Sequence, residues 1–170
     1  MLNKNPYNLC VAPMMGHTDI HFRYFLRLIS KHAMLYSEMV AVNAILHNKT
    51  SRYNKLEHNL DNPVGFQLGG DDPRKLSECA KIIESYGYDE INLNIGCPSK
   101  RAQSGNFGAC LFSQPEIVAK CVEEISKNTV LPITVKTRLG IDNLNDIKYL
   151  KDFINIVSSQ GVEVFHLHAR

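Results

Sequence analysis

The chain has 170 residues, 44% of them hydrophobic and 21% charged, with a formal net charge of +2, enough for one sizeable soluble core. The slight positive charge permits an anionic partner without requiring one. No apolar run is long enough to span a bilayer, the N-terminus lacks the order of a signal peptide, and the five cysteines suggest neither a zinc knuckle nor a disulfide scaffold, so reduced thiols in a cytosolic protein are expected.

Strands and helices alternate along the chain. Residues 9–12 form a short apolar strand that stops at Pro13. Asp19 is suited to cap a helix over 20–30, where Phe22, Phe25, Leu26 and Ile29 recur at helical spacing. Residues 35–37 read as a second strand, 42–47 as a short helix and 48–62 as a polar, basic loop. A third strand covers 64–68. Gly69, Gly70, Asp71, Asp72 and Pro73 then give a turn, a cap and a first-turn proline for a helix over 74–86, which Gly87 ends. The fourth strand is 90–94. A glycine-containing loop at 104–108 leads toward a helix at 115–127. The fifth strand is 133–136, a helix over 146–160 stops at Gly161, and 164–168 is the sixth strand.

Such repeated strand–helix units predict a parallel sheet wrapped by helices. A doubly wound sheet would bind its ligand at one switch point, whereas a barrel sets polar residues at the end of every strand. Met14 and Met15, Glu38, Gln67, Asn94, Lys136 and His168 all fall at or just after strand C-termini. The expectation is therefore a (β/α)8 barrel. Six strands and five helices fall short of eight units, so residues 1–170 read as the N-terminal portion of a longer barrel domain, without a linker or a second domain.

The most informative stretch is Asn92-Leu93-Asn94-Ile95-Gly96-Cys97-Pro98-Ser99, where an apolar strand breaks at Gly96 and Pro98. Cys97 thus sits on a stiff loop at the sheet rim, placed to act as an acid, a nucleophile or a ligand, or to pack as a small hydrophobe. Lys136 ends the apolar run 131–135, where a charge is costly unless it meets an anion or polar ligand. Gln67, Asn94, Lys136 and a histidine around one mouth would line a flat heterocycle such as a flavin, with Gln67 toward the pyrimidine edge and Lys136 toward the N1/O2 side. Met14 and Met15 would pack on the ring or simply fill core. His166 and His168 share a strand face and could suit a metal. Apart from Glu38, no carboxylate or second histidine cluster stands at the other strand ends to complete a shell, so the reading is one histidine on a cofactor, the other packed, and no metal. Lys49, Arg52 and Lys55, with Tyr53 among them, and then Lys100 and Arg101, are either a solvated face or contacts for a phosphodiester backbone.

Taken in order, these motifs resemble those of the tRNA-dihydrouridine synthases, most of all subfamily A. The resemblance runs through Ala12-Pro13-Met14-Met15, Ser37-Glu38-Met39, Phe66-Gln67-Leu68-Gly69-Gly70 and the segment from Tyr88 to Ser99. It continues through Gly105-Asn106-Phe107-Gly108-Ala109-Cys110-Leu111, Val135-Lys136-Thr137-Arg138 and His166-Leu167-His168-Ala169-Arg170. It implies an FMN-containing barrel enzyme that uses NADPH to reduce a uridine of the tRNA D-loop to 5,6-dihydrouridine. Pro13, Met14, Met15, Gln67, Lys136 and His168 carry over as FMN-binding positions, Cys97 as the proton donor and Asn94 as a tRNA contact; Glu38 and Arg138 are further tRNA candidates. The later barrel strands, the loops for the FMN phosphate and the helical tRNA-binding domain of the family are missing from these residues. The 170-residue polypeptide alone is therefore expected to be unstable or inactive. Two other functions fit the residues: a flavin barrel acting on a small molecule such as dihydroorotate, and a non-catalytic RNA-binding half-barrel.

Overall fold

The computed structural model describes residues 6–47 and 62–169, except for the side chain of Arg101. The basic cluster expected at Lys49, Arg52, Tyr53 and Lys55 lies outside the described residues. Seven strands make one sheet: β1 (Cys10–Val11), β2 (Met34–Tyr36), β3 (Val40–Ala41), β4 (Val64–Gly69), β5 (Glu90–Asn94), β6 (Ile133–Arg138) and β7 (Val164–His168). All pairings are parallel, in the order β1-β2-β4-β5-β6-β7, with β3 also beside β4. The α-helices among the described residues are α1 (Ile20–Ile29), α2 (Val42–His47), α3 (Pro73–Ser85), α4 (Lys100–Ser104), α5 (Pro115–Ser126) and α6 (Ile147–Ser158). Parallel neighbours joined through helices in chain order are the arrangement of a (β/α)8 barrel, present here in part.

Side-chain alternation gives the sheet two unlike faces. Phe66, Leu68, Ile91, Leu93, Ile133 and Val135 are buried in one apolar cluster with Leu76, Ala80 and Ile83 of α3, Val118, Val122 and Ile125 of α5, and Leu150, Phe153 and Val157 of α6. Each such large side chain contributes about 1.5–3 kcal/mol by leaving water. The other face is polar. Gln67, Asn92 and Thr134 lie side by side across β4, β5 and β6, and Asn94, Lys136 and His166 do so across β5, β6 and β7. Helix starts follow their caps: Asp19, Asp72 and Asp146 carboxylates accept backbone N–H groups of Phe22, of Arg74 and Lys75, and of Lys148.

Three local features depart from the sequence reading. The second strand is Met34–Tyr36, and a further strand, Val40–Ala41, continues the same edge of β4 after a break. At that break the Ser37 hydroxyl accepts the Gln67 N–H at 3.0 Å, standing in for a ladder carbonyl. The segment expected as a loop at 104–108 begins within α4 and runs into a 3₁₀ helix, Gly108–Ser113. Strand and helix ends elsewhere shift by a residue or two; the fifth strand runs on to Arg138.

Candidate active site

The loop after β1 is folded on itself. Met14 C=O accepts the His17 and Thr18 N–H groups, and the buried Thr18 hydroxyl receives Met14 N–H at 3.0 Å. Gly16, at φ +75°, donates its N–H to Glu38 Oε1 from the loop after β2. Met14 and Met15 are left on the rim, 39% and 50% exposed. Glu38, expected as an RNA contact, is thus a tie between two rim loops.

Cys97 stands where β5 ends. Asn94 Oδ1 accepts the Gly96 and Cys97 N–H groups at 3.2 and 2.9 Å, an Asx turn that fixes the loop. Behind it, Cys97 C=O accepts Ala109 N–H at 2.9 Å. This approach needs Gly108 at φ +81°, because a Cβ there would stand 2.4 Å from that carbonyl oxygen. The thiol is partly exposed and its sulfur is 3.3 Å from Ser99 Oγ.

Below the mouth the polar face is a continuous ladder. Asn94 Nδ2 donates to Gln67 Oε1 at 2.9 Å, and Gln67 Nε2 donates to Asn92 Oδ1 at 2.7 Å. Asn92 Nδ2 donates to Thr134 Oγ1 at 2.8 Å, and Thr134 donates to Glu90 Oε1. Glu90 is fully buried and also accepts the Tyr7 hydroxyl at 2.8 Å. Burial raises the Glu90 pKa, and the hydroxyls of Thr134, Tyr7 and Tyr36 pull the other way. Tyr36 also lies 2.8 Å from His166 Nε2. Burial first, then Lys136, holds the His166 imidazole below its ordinary range.

A cavity with about 280 Å³ of empty space, open to solvent, lies between Cys10, Ala12 and Pro13 on one side and Tyr36, Asn92, Lys136 and His166 on the other. Lys136 has no acidic partner among the described residues, and burial, then Arg138, push its pKa down. The Arg138 Nε is buried without a partner among the described residues. The structure therefore brings Pro13, Lys136, Asn94, Gln67 and Cys97 to one end of the sheet. Gln67 is only 1% exposed, with its amide held on both sides, and Asn92 rather than Gln67 lines the cavity. Of the histidine pair, His166 lines the cavity and His168 is exposed at the strand end. The sequence reading gives Asn92, Thr134, Glu90, Tyr7 and Tyr36 no role in the site; the polar Glu90-x-Asn92-x-Asn94 period in an apolar strand is the signal for Glu90 and Asn92 alone.

Amides, an accessible thiol and a cation unpaired among the described residues, all at the C-terminal strand ends, define a partial β/α-barrel protein with its candidate site where such barrels build theirs. Comparison with known proteins is more specific. Residues 10–170 match the family model described as dihydrouridine synthase (Dus), and the chain belongs to that family, whose enzymes are flavin-dependent. A "tRNA-dihydrouridine(20/20a) synthase" of Synechocystis sp. is 53% identical over 162 residues, covering 95% of this chain and 48% of the relative. Proteins of the same name from Salmonella typhi and Escherichia coli K12 are each 52% identical, over 96% and 94% of this chain and 49% and 46% of their own lengths. The chain spans about half the length of the curated relatives it matches. No helix among the described residues is long and apolar enough to cross a membrane.

Proposed function

We propose that the protein carrying this chain is a tRNA-dihydrouridine synthase, reducing a uridine of the tRNA D-loop with FMN and NADPH. The observation that supports this most is the juxtaposition of Lys136, without an acidic partner among the described residues, beside an open cavity with Cys97 on the neighbouring strand's loop, in a chain half identical to named synthases. The mouth suits FMN on its own chemistry. Lys136 offers a cation that nothing in the described chain neutralises, Pro13 and Ala12 supply an apolar wall, and Asn92 supplies an amide. When bound and reduced, the flavin supplies the hydride for C6 of the base.

Cys97 supplies the proton. Its S–H bond breaks as a C–H bond forms at C5, so hydride and proton together saturate the C5–C6 bond and leave a thiolate, which solvent reprotonates. The Asn94 turn and the Ala109 contact hold the sulfur still, and partial exposure lets a base reach it. A base taken from the tRNA stack costs a few kcal/mol to extrude, which cations such as Lys100 and Arg138 offset through phosphate contacts. Met14 and Met15 on the exposed rim cover apolar faces of what enters. Glu38 keeps the rim loops together, and His168 and Asn94 remain candidates for cofactor and RNA contact.

The test is turnover of unmodified tRNA with FMN and NADPH by the full chain at the relatives' length, compared with Cys97→Ala. Loss of dihydrouridine by about 10²-fold or more, with bound FMN and fold retained, is expected of a lost general acid. Equal product from the variant would remove Cys97 from that role, and binding without any turnover in the wild type would favour a non-catalytic RNA-binding protein.

A further inference from the structure

The ladder beneath the mouth has a direction, and its upper end dictates it. The Cys97 N–H can only donate, so Asn94 must turn its Oδ1 to the loop and its Nδ2 to Gln67. Gln67 must then offer its Nε2 to Asn92, and Asn92 its Nδ2 to Thr134. At the floor the Thr134 oxygen accepts from Asn92 Nδ2, which leaves its proton for Glu90 Oε1. Turning any one amide over would set two donors or two acceptors face to face. In a buried ladder that is costly, because the unmade bond is not replaced by water. Thr134 is the hinge of this order, the one member whose single oxygen both donates downward and accepts from above. It is 1% exposed and does not line the cavity.

We propose that Thr134, anchored on Glu90, is a positioning residue: through Asn92 it sets the amide at the cavity wall, and through Gln67 and Asn94 it holds the Cys97 loop in register with that wall. The cofactor half of this statement rests on the flavin reading; the cysteine half does not.

The test uses the full chain with Thr134→Val, which keeps the volume and removes the hydroxyl, and Thr134→Ser, which restores it. The first readout, without flavin, is the alkylation rate of each cysteine by iodoacetamide, mapped by mass spectrometry. Cys97 is partly exposed, whereas Cys79 and Cys121 are buried, and burial pushes the Cys121 thiol up to about 12, so those two react only when the core opens. Thr134→Val should change the Cys97 rate about 3- to 10-fold, the worth of one ladder bond, with Cys79 and Cys121 unchanged and Ser near wild type. The second readout is FMN affinity, expected to fall by a similar factor in Val and not in Ser. A Cys97 rate unmoved by Val, or all three cysteines accelerating together, would overturn the proposal. A wild-type chain that binds no FMN would instead remove the flavin reading and leave the alkylation result to decide the ladder. Should Val fail to fold, Thr134→Ala removes the same hydroxyl with no branched methyl to place.

Discussion

Buried Glu90 and half-buried His166 both lie near Tyr36, yet their protons act on stability with opposite sign. Burial lowers the His166 pKa, so the folded protein takes up a proton less readily than the unfolded one. Its contribution is full above the ordinary imidazole value and is lost as pH falls through the folded value. The Glu90 pKa is raised, so its contribution is full below the ordinary carboxylate value and is lost as pH rises through the folded one. Urea midpoints measured from pH 4 to 8 should show this. Glu90→Gln should gain on wild type as pH rises, and His166→Gln should lose less than wild type as pH falls from 7 to 5. Parallel curves for wild type and either variant would mean that the group does not titrate differently in the two states. Burial, and then Arg138, disfavour the charged form of Lys136. Lys136→Met should therefore raise the unfolding midpoint at pH 7 while weakening FMN binding by about 10-fold or more, the loss of a charge-assisted contact.

At the scale of elements, the sequence reading works where local chemistry decides. Asp72 and Pro73 start α3, Gly87 at φ +83° ends it, and β7 runs over the expected residues because each boundary has its own cap, turn or alternation. It fails where another strand decides. β3 exists because β4 offers Leu68 and Gly69 to pair with, and α4 with its 3₁₀ successor is folded against the Cys97 loop. The site divides likewise. Strand-end positions such as Lys136 and Asn94 are readable from a single strand. The Glu90–Thr134–Asn92 ladder needs the register of three strands, which no single segment encodes. Gly108 tests the element-scale account. Gly108→Ala should destabilise by about 1–3 kcal/mol, combining a left-handed backbone with the carbonyl contact, and should displace the Cys97 loop. Thermal unfolding together with Cys97 alkylation measures both effects, and a variant equal to wild type in each would refute the close approach.

For the whole molecule the decisive fact is an unclosed sheet. Neither β1 nor β7 has a second strand neighbour among the described residues, and α1 turns Tyr24, Phe25, Leu28 and Ile29 outward. Residues 1–170 made alone should accordingly self-associate with rising concentration, seen by sedimentation velocity, and retain little FMN. A polypeptide of the relatives' length should sediment as one species. A monomeric, cooperatively unfolding 170-residue chain that holds flavin would refute this.

The Asn94 turn and the Ala109 bond together have one more implication. Both fastenings of the sulfur-bearing loop lie within sixteen consecutive residues, 94–109, and neither draws on a distant part of the chain. The segment is in effect a cassette that carries its own bracing. Moved to the end of a parallel strand in another protein, it would bring the shape of its loop with it, and it would keep the aim of its thiol only where an amide such as that of Gln67 stood beneath Asn94.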